Sequence, residues 1–223
     1  MAKALGHWRP PEPPDQTVLF ARIADALTRD GHIVLADVLD PALLDALVTR
    51  VQTLRTEAFT PAGIGRANDQ MHNAFVRRDE IRWLERADAA ESAWLTWVDE
   101  LREYLNRRLF LGLFSYEGHF AHYPPGAFYK RHLDAFRGQA NRVLTTVLYL
   151  NPTWQPEDGG QMVLYPEVGE AALAHIEPIL GTLAIFLSEE FPHEVLPARR
   201  DRYSIAGWYR VNASTTDRAD PPR

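Results

Sequence analysis

Four polar residues in the second half of the chain constrain its fold more than any other feature. His132 and Asp134 stand two apart, His193 follows sixty-one residues after His132, and Arg202 lies nine residues after His193. Two histidines and one carboxylate are the protein ligands of an open-faced non-haem iron(II) site, which keeps coordination positions for other ligands. The chain must therefore fold so that two distant segments lie side by side.

The segment after Gly112 has the pattern of an all-β unit. Short runs of β-branched and aromatic residues are separated by Gly, Pro and Asn, without an intervening helical pattern. On a strand, His132 and Asp134 would point to the same face, about 6.6 Å apart along the backbone. His193 would reach them from a neighbouring strand, as a sandwich or barrel permits. Strands are predicted at 114–123, 128–134, 142–150, 161–165, 182–187, 193–196 and 203–211.

The first half of the chain predicts helical support for this β unit. Gly31 suits the residue after a helix end, and Asp40 followed by Pro41 suits a helix start. Residues 60–73 lack periodicity and contain two glycines and a proline, so they predict a long loop of the kind that covers binding sites. The other predicted elements are a helix at 16–30, a strand at 32–38, a helix from Asp40, an extended segment at 75–84 and a helix at 92–109.

Length and composition indicate one domain. A chain of 223 residues with 46% hydrophobic residues can bury one substantial core. We expect a flexible Pro-rich arm at 1–15, a single domain at 16–213 and a flexible tail at 214–223. Within that domain, 16–110 would give helical support and 112–211 the β-barrel core.

Charge and cysteine content exclude several classes of protein. The net charge of −6 disfavours non-specific binding to nucleic acid or to an anionic membrane surface. The absence of cysteine rules out disulfides, a thiolate nucleophile and cysteine-ligated metal. No signal-peptide core and no long apolar run are present, so the sequence predicts a cytoplasmic protein.

Arg202 predicts an anionic ligand. An arginine that faces a protein interior is costly to desolvate unless a carboxylate meets it, and Asp201 would face the opposite way on a strand. A small dicarboxylate suits this position, because guanidinium pairs with carboxylate through two parallel hydrogen bonds. The alternative is a surface arginine at the start of a strand.

Four motifs give the chain a resemblance to a known family. They are HYPPGAFYKRHLD at 122–134, NRVLTTVLYLN at 141–151, PEDGGQMVLYPE at 156–167 and FPHEVLPARRDRYSIAGWY at 191–209. Over about 75–209 the chain resembles Fe(II)- and 2-oxoglutarate-dependent oxygenases of the prolyl 4-hydroxylase group, in particular the hypoxia-inducible-factor prolyl hydroxylases and their bacterial relatives. The resemblance implies an α+β fold, namely a double-stranded β-helix (a jelly roll, cupin-like barrel) flanked by N-terminal helices.

The resemblance also implies roles for individual residues. Iron(II) would be bound by His132, Asp134 and His193. Arg202 and Tyr149 would hold the far carboxylate of 2-oxoglutarate, with Tyr123 near its chelating end. The pocket for the substrate proline would be lined by Tyr129, Arg142 and Trp208. Molecular oxygen would be the second cosubstrate and ascorbate a further reductant, while the loop at 60–73 would close over the substrate.

The implied reaction is hydroxylation of a prolyl residue at C4 in a protein substrate. Bacterial relatives of this group act on elongation factor Tu, which makes that protein the leading candidate. Seven basic residues near the predicted site suggest a positively charged mouth for an acidic segment, although a simply solvated set of charges is the alternative. They are Arg77, Arg78, Arg82, Lys130, Arg131, Arg137 and Arg142.

Three other functions are open at this point. The chain could be an oxygenase that acts on a small molecule such as a free amino acid, which would turn over without a protein substrate. It could be a cupin-like metal-binding protein without redox chemistry, for which Arg202 would be dispensable. A pure interaction module is the third alternative, and it leaves the ligand set unexplained.

Overall fold

In the part of the chain that the structure describes, three α-helices precede most of the strands. A computed structural model of the protein describes residues 15–54, 58–62, 76–135 and 141–212. The helices are α1 (Gln16–Asp30), α2 (Pro41–Thr53) and α3 (Ala89–Leu109). The strands are β1 (His32–Leu35), β2 (Thr60–Pro61), β3 (Glu80–Trp83), β4 (Ser115–Tyr123), β5 (Tyr129–His132), β6 (Arg142–Tyr149), β7 (Met162–Leu164), β8 (Ala174–Ile176), β9 (Leu183–Leu187), β10 (His193–Val195) and β11 (Arg202–Arg210).

The strands form two antiparallel sheets. The larger sheet has seven strands in the order β1-β9-β6-β11-β4-β3-β2, and the smaller has four in the order β5-β10-β7-β8. Val147 and Phe186 of the larger sheet share a buried cluster with Met162 and Ile176 of the smaller one. The sheets therefore pack face to face as a jelly roll, but they are not closed into a continuous barrel.

Three aspartates cap the N-termini of the three helices. Asp15 and Asp40 each accept a hydrogen bond from the backbone N–H two residues later, and Asp88 accepts from two N–H groups of the first turn of α3. Such caps satisfy donors that have no partner within the helix and contribute about 1 kcal/mol each. At the other end of α1, Gly31 adopts the left-handed conformation with φ of 72°, which glycine tolerates without strain.

The outer face of the larger sheet packs against the helices. Phe120, Leu148 and Ile205 are fully buried there with Trp94 and Leu101 of α3. Burying side chains of this size stabilises the fold by about 1.5–3 kcal/mol each. This layer of helix on sheet is the largest apolar core of the described chain, and it holds the sheet whose other face carries the polar residues.

One close approach in this layer requires glycine. Gly207 of β11 lies under the ring of Tyr116, and a Cβ atom at Gly207 would fall 2.0 Å from the Tyr116 hydroxyl oxygen. The hydroxyl lies 3.0 Å from Oγ1 of Thr146, so the ring crosses β11 to reach β6. A side chain at 207 would prevent that crossing.

Several boundaries differ from the sequence-based predictions. The helix predicted to begin at Ser92 begins at Ala89, because Asp88 caps it. Thr60 and Pro61 form β2 rather than loop, while residues 63–73 of the predicted loop lie outside the described residues, as do 1–14 of the arm and the tail. The strand β8 was not predicted, because its sequence Ala-His-Ile contains a single β-branched residue.

The helices of the described residues are not suited to a bilayer. None of them combines the length and the apolar character needed to span a membrane.

Candidate metal centre and active site

Three predicted ligands meet between the two sheets. His132 ends β5, His193 begins β10, and these two residues are directly paired in the smaller sheet. One ligand atom from each of His132, Asp134 and His193 lies within 4.8 Å of the others. Among the described residues, this is the one group of three or more potential metal ligands that comes together so closely.

Asp134 reaches this group from outside the strand. β5 ends at His132, so the prediction that His132 and Asp134 share a strand face was wrong. Asp134 instead lies in a bend, with Oδ1 at 3.7 Å from Nε2 of His132 and Oδ2 at 3.6 Å from Nε2 of His193. The bend directs the carboxylate toward both imidazoles. If the strand continued through residue 134, the carboxylate would lie farther from them.

Both imidazoles present the same nitrogen to the centre. Nδ1 of His132 lies 2.7 Å from the carbonyl oxygen of Lys130, and Nδ1 of His193 lies 3.1 Å from that of Phe191. A carbonyl only accepts, so each Nδ1 carries a proton, and in the neutral imidazole Nε2 is then the nitrogen with the free lone pair. This is the arrangement in which a neighbouring carbonyl orients a metal-binding histidine.

The protonation states also suit a metal. Burial lowers the pKa of His193 to about 4, although Asp134 opposes that shift. Burial alone would raise the pKa of Asp134, but the His193 and His132 imidazoles hold that pKa well below its usual value. Near neutral pH the site therefore offers a neutral imidazole and an ionised carboxylate, which are the forms that bind a divalent cation.

Arg202 is buried beside two tyrosine rings. Its side chain is 1% exposed, and its guanidinium carbon lies 4.9 Å from the ring centres of both Tyr123 and Tyr149. Its Nε donates a 2.8 Å hydrogen bond to the carbonyl oxygen of Gly160. No carboxylate among the described residues forms an ion pair with Arg202, so its charge lacks an anionic partner within the described part of the chain.

Tyr149 adds a second unsatisfied group at the same place. Its hydroxyl oxygen is buried and has no hydrogen-bond partner among the described residues. Burial raises the pKa of that hydroxyl, although the nearby Arg202 opposes the rise. A buried cation without a carboxylate partner and a buried hydroxyl without a hydrogen-bond partner, as found among the described residues, together match a small carboxylate ligand. The residues present thus fit the far end of a dicarboxylate such as 2-oxoglutarate.

Gly160 keeps the space that Arg202 fills. This residue has φ of 70°, and a Cβ atom there would lie 3.2 Å from Cδ of Arg202 and 2.9 Å from Cβ of Ala198. A larger residue would therefore be strained in its backbone and would crowd the arginine. The second glycine of the PEDGGQ motif positions Arg202, a role that sequence reasoning did not assign.

Tyr129 is stacked on a predicted metal ligand. Its ring centre lies 3.5 Å from that of His132 with an angle of 16° between the planes, and the guanidinium carbon of Arg77 lies 4.3 Å from the Tyr129 ring centre. Arg77 is held in turn by the buried Asp79. The structure thus places Tyr129 at the metal-binding group.

Arg142 and Trp208 form a cation–π contact near the metal-binding group. The Arg142 guanidinium carbon lies 3.6 Å from the ring centre of Trp208, and its Nε and Nη2 donate to Oε1 of Glu117 at 2.9 and 2.8 Å. Trp208 is paired across β11 and β6 with Thr145, whose hydroxyl donates to Asp134. Sequence reasoning missed Glu117, for which no motif gave a signal.

The predicted basic mouth is smaller than the sequence suggested. Arg82 faces α3, where its Nη1 donates to both carboxylate oxygens of the buried Glu91. Arg77 and Arg142 are each matched by a carboxylate. Arg78, Lys130 and Arg131 are exposed, and Arg137 lies outside the described residues.

Comparison with known proteins agrees with this geometry. The family model described as the 2OG-Fe(II) oxygenase superfamily matches residues 118–210, which contain all the residues predicted for the site. The prolyl hydroxylase EGLN3 of Homo sapiens is 31% identical over 203 residues, which are 87% of this chain and 84% of that protein.

Two solved structures are similar over most of the chain. A prolyl-4-hydroxylase of Pseudomonas putida has a TM-score of 0.78 and 40% identity, and the match covers 86% of this chain and 99% of that one. A prolyl hydroxylase of Trichoplax adhaerens, solved in complex with a peptide fragment of the hypoxia inducible factor oxygen degradation domain, has a TM-score of 0.78 and 29% identity, covering 87% and 90%. The predicted double-stranded β-helix fold is confirmed.

Proposed function

The chain belongs to the prolyl hydroxylases of the 2OG-Fe(II) oxygenase superfamily, and on that premise we propose that it hydroxylates C4 of a prolyl residue in a protein substrate. As an enzyme of this superfamily it uses Fe(II), 2-oxoglutarate and oxygen. The single observation that carries the proposal is the meeting of His132, Asp134 and His193 beside a buried cation, Arg202, that has no carboxylate partner among the described residues.

We assign the metal to His132, Asp134 and His193. Three protein ligands would leave coordination positions open for cosubstrates. When bound, Fe(II) and 2-oxoglutarate supply the oxidation: one oxygen atom of O2 enters the C4–H bond of proline, and the other enters succinate as carbon dioxide is released. The protein supplies positioning and a dry pocket, and we propose ascorbate as the reductant that keeps the iron in its ferrous state.

We assign the far carboxylate of 2-oxoglutarate to Arg202 and Tyr149. The guanidinium can meet the carboxylate through two hydrogen bonds, and the unpartnered hydroxyl of Tyr149 can donate a third. Tyr123 is paired with Arg202 across β4 and β11. Its ring centre lies 4.9 Å from the guanidinium carbon, and we assign Tyr123 to the chelating end of the cosubstrate.

The substrate proline is assigned to a pocket between Tyr129, Arg142 and Trp208. Tyr129 stacks on His132. Trp208 is the strand neighbour of Thr145, which donates to Asp134, so the two rings border the metal-binding group from different sheets. The buried indole N–H of Trp208 has no acceptor in the described residues and can donate to a backbone carbonyl of the substrate. A protein substrate is supported by the Trichoplax relative with its bound peptide, and our candidate is elongation factor Tu.

Peptide mass spectrometry tests the proposal. Unmodified elongation factor Tu is incubated with the enzyme, Fe(II) and 2-oxoglutarate, and a matched reaction contains the His132→Ala variant. We expect a mass gain of one oxygen atom on one prolyl residue with the wild type and none with the variant, because the variant lacks a metal ligand.

The alternatives give other outcomes. Succinate formed without any change in elongation factor Tu would move the search to another protein or to a small molecule. An equal mass gain with the His132→Ala variant would contradict the metal assignment. No succinate from any substrate, with Zn(II) bound as tightly as Fe(II), would favour a metal-binding protein without redox chemistry.

A further inference from the structure

Two buried hydroxyl groups connect Asp134 to the larger sheet. Oγ1 of Thr145 lies 2.7 Å from Oδ2 of Asp134, and the same Oγ1 lies 2.9 Å from Oγ of Ser188. Thr145 is 1% exposed and Ser188 is 0% exposed. Thr145 belongs to β6, and Ser188 directly follows β9, so the contacts join two neighbouring strands to the bend that carries Asp134.

The direction of both hydrogen bonds follows from the charge of Asp134. An ionised carboxylate only accepts, so the Thr145 hydroxyl must donate its proton to Oδ2. Thr145 then has only lone pairs left for Ser188, and the Ser188 hydroxyl must donate to Thr145. Each bond in such a chain polarises the next one, which strengthens both in a buried setting.

Asp134 needs this support because the sheet does not hold it. The ladder of β5 ends at His132, and no strand pairing fixes the backbone at 134. We propose that Thr145, supported by Ser188, is a positioning residue that holds the Asp134 carboxylate in its metal-binding orientation. The inference rests on the metal site of the proposed function and concerns residues to which that proposal gives no role.

The orientation has a consequence for coordination. The Thr145 hydroxyl takes one lone pair of Oδ2, while Oδ1 and Oδ2 lie 3.7 and 3.6 Å from Nε2 of His132 and of His193 respectively. A carboxylate that binds through one oxygen takes one coordination position, whereas a carboxylate that binds through both oxygens would take two. By competing for Oδ2, the Thr145 hydroxyl would favour binding of the ion through Oδ1 alone, which would leave a position open for a cosubstrate.

A pair of substitutions separates this role from simple packing. Thr145→Val keeps the shape of the side chain and removes only the hydroxyl, whereas Thr145→Ser keeps the hydroxyl and removes the methyl group. If Thr145 only fills space, the Val variant will behave as the wild type and the Ser variant will be the impaired one. If the hydroxyl orients Asp134, the order will be reversed.

The test is a titration of the metal-free protein with Co(II) alone. The ligand-field absorption of the bound ion reports both the affinity and the coordination. Loss of a hydrogen bond to a metal ligand lowers metal affinity by roughly 10–100-fold, and we expect that loss for Thr145→Val, a smaller loss for Ser188→Ala and near wild-type affinity for Thr145→Ser. We also expect the absorption band to change shape in Thr145→Val alone, because freed Oδ2 changes the coordination of the ion. The thermal midpoint of each metal-free variant checks that it is folded.

The outcomes separate the two proposals. Co(II) binding by Thr145→Val with wild-type affinity and spectrum would overturn the positioning role and leave the metal site intact. Absence of Co(II) binding by the wild type would overturn both. Weak binding by Thr145→Val and Thr145→Ser alike would show that the methyl group matters, and would also contradict the inference.

Discussion

The two faces of the larger sheet are built from the same strands and serve opposite purposes. On the outer face, Leu144 and Leu148 of β6 and Ile205 of β11 are buried against the helices. On the inner face of the same strands lie Thr145, one residue from Leu144, and Arg202, three residues from Ile205. Alternation along a strand thus places an apolar core and a polar site back to back.

The energies of the two faces differ in kind. Burial of apolar area stabilises the outer face in proportion to the area removed from water. The inner face buries a cation, an imidazole and a carboxylate, and each such group costs free energy unless it finds a partner. The outer face therefore stabilises a fold in which the inner face keeps groups prepared for a metal and an anion.

The largest expected effect is on the outer face. Leu148→Ala removes a fully buried side chain and should lower the free energy of unfolding by about 2–5 kcal/mol. Urea unfolding measures the loss, and Co(II) affinity of the folded protein should remain that of the wild type. A large loss of Co(II) affinity with little loss of stability would show that the two faces are not separable.

Arg202→Lys should change ligand binding rather than folding. Lysine keeps the positive charge but not the planar guanidinium that meets a carboxylate through two hydrogen bonds. Loss of one charge-assisted hydrogen bond, worth about 1.5–3 kcal/mol, should weaken 2-oxoglutarate binding by roughly 10–100-fold. Calorimetric titration of the Mn(II)-loaded protein measures this affinity, and an unchanged value would remove Arg202 from the cosubstrate site.

The smallest effect concerns pH and the buried His119 of the inner face. Burial lowers the pKa of His119 to about 4, below the value near 6.5 of an exposed histidine. Between these values the unfolded chain binds a proton that the folded chain does not, so stability falls as pH falls from about 6.5 to about 4.

His119→Gln should remove that part of the pH dependence. Urea unfolding of the metal-free protein at pH 6.5 and pH 4.5 should show a loss on acidification that is about 2 kcal/mol smaller in the variant than in the wild type. Leu148→Ala serves as the control, since it should lose similar stability at both values. Equal pH dependence in His119→Gln and wild type would mean that His119 is not buried as a neutral group.

Sequence reasoning reached the metal ligands because they are chemically conspicuous. The spacing of His132, Asp134 and His193 and the position of Arg202 indicated an open metal site with an anion nearby, and the structure brings the three ligands together. The helix start at Asp40 and the helix end at Gly31 could be predicted from local capping chemistry. Local rules were sufficient wherever neighbours in sequence decide the conformation.

Other features depend on partners that are distant in sequence. Arg82 was predicted at the site but pairs with Glu91 of α3, because only the packing of α3 on the sheet decides which charges meet. Gly160 lay in a recognised motif without an assigned role, and Glu117 and Ser188 carried no recognisable signal. The roles of all three follow from contacts with residues at least twenty-five positions away.

The sequence by itself determined which chemical groups are available and on which faces of regular strands they lie. These groups are two imidazoles, a carboxylate and a guanidinium. They and the alternation of apolar and polar residues are local properties that do not depend on the tertiary structure. Only the tertiary structure decided that Asp134 leaves its strand, that Thr145 and Ser188 meet it, and that Arg202 lacks a carboxylate partner among the described residues. These outcomes depend on how two sheets pack, and packing is set by many distant contacts acting together rather than by any single segment.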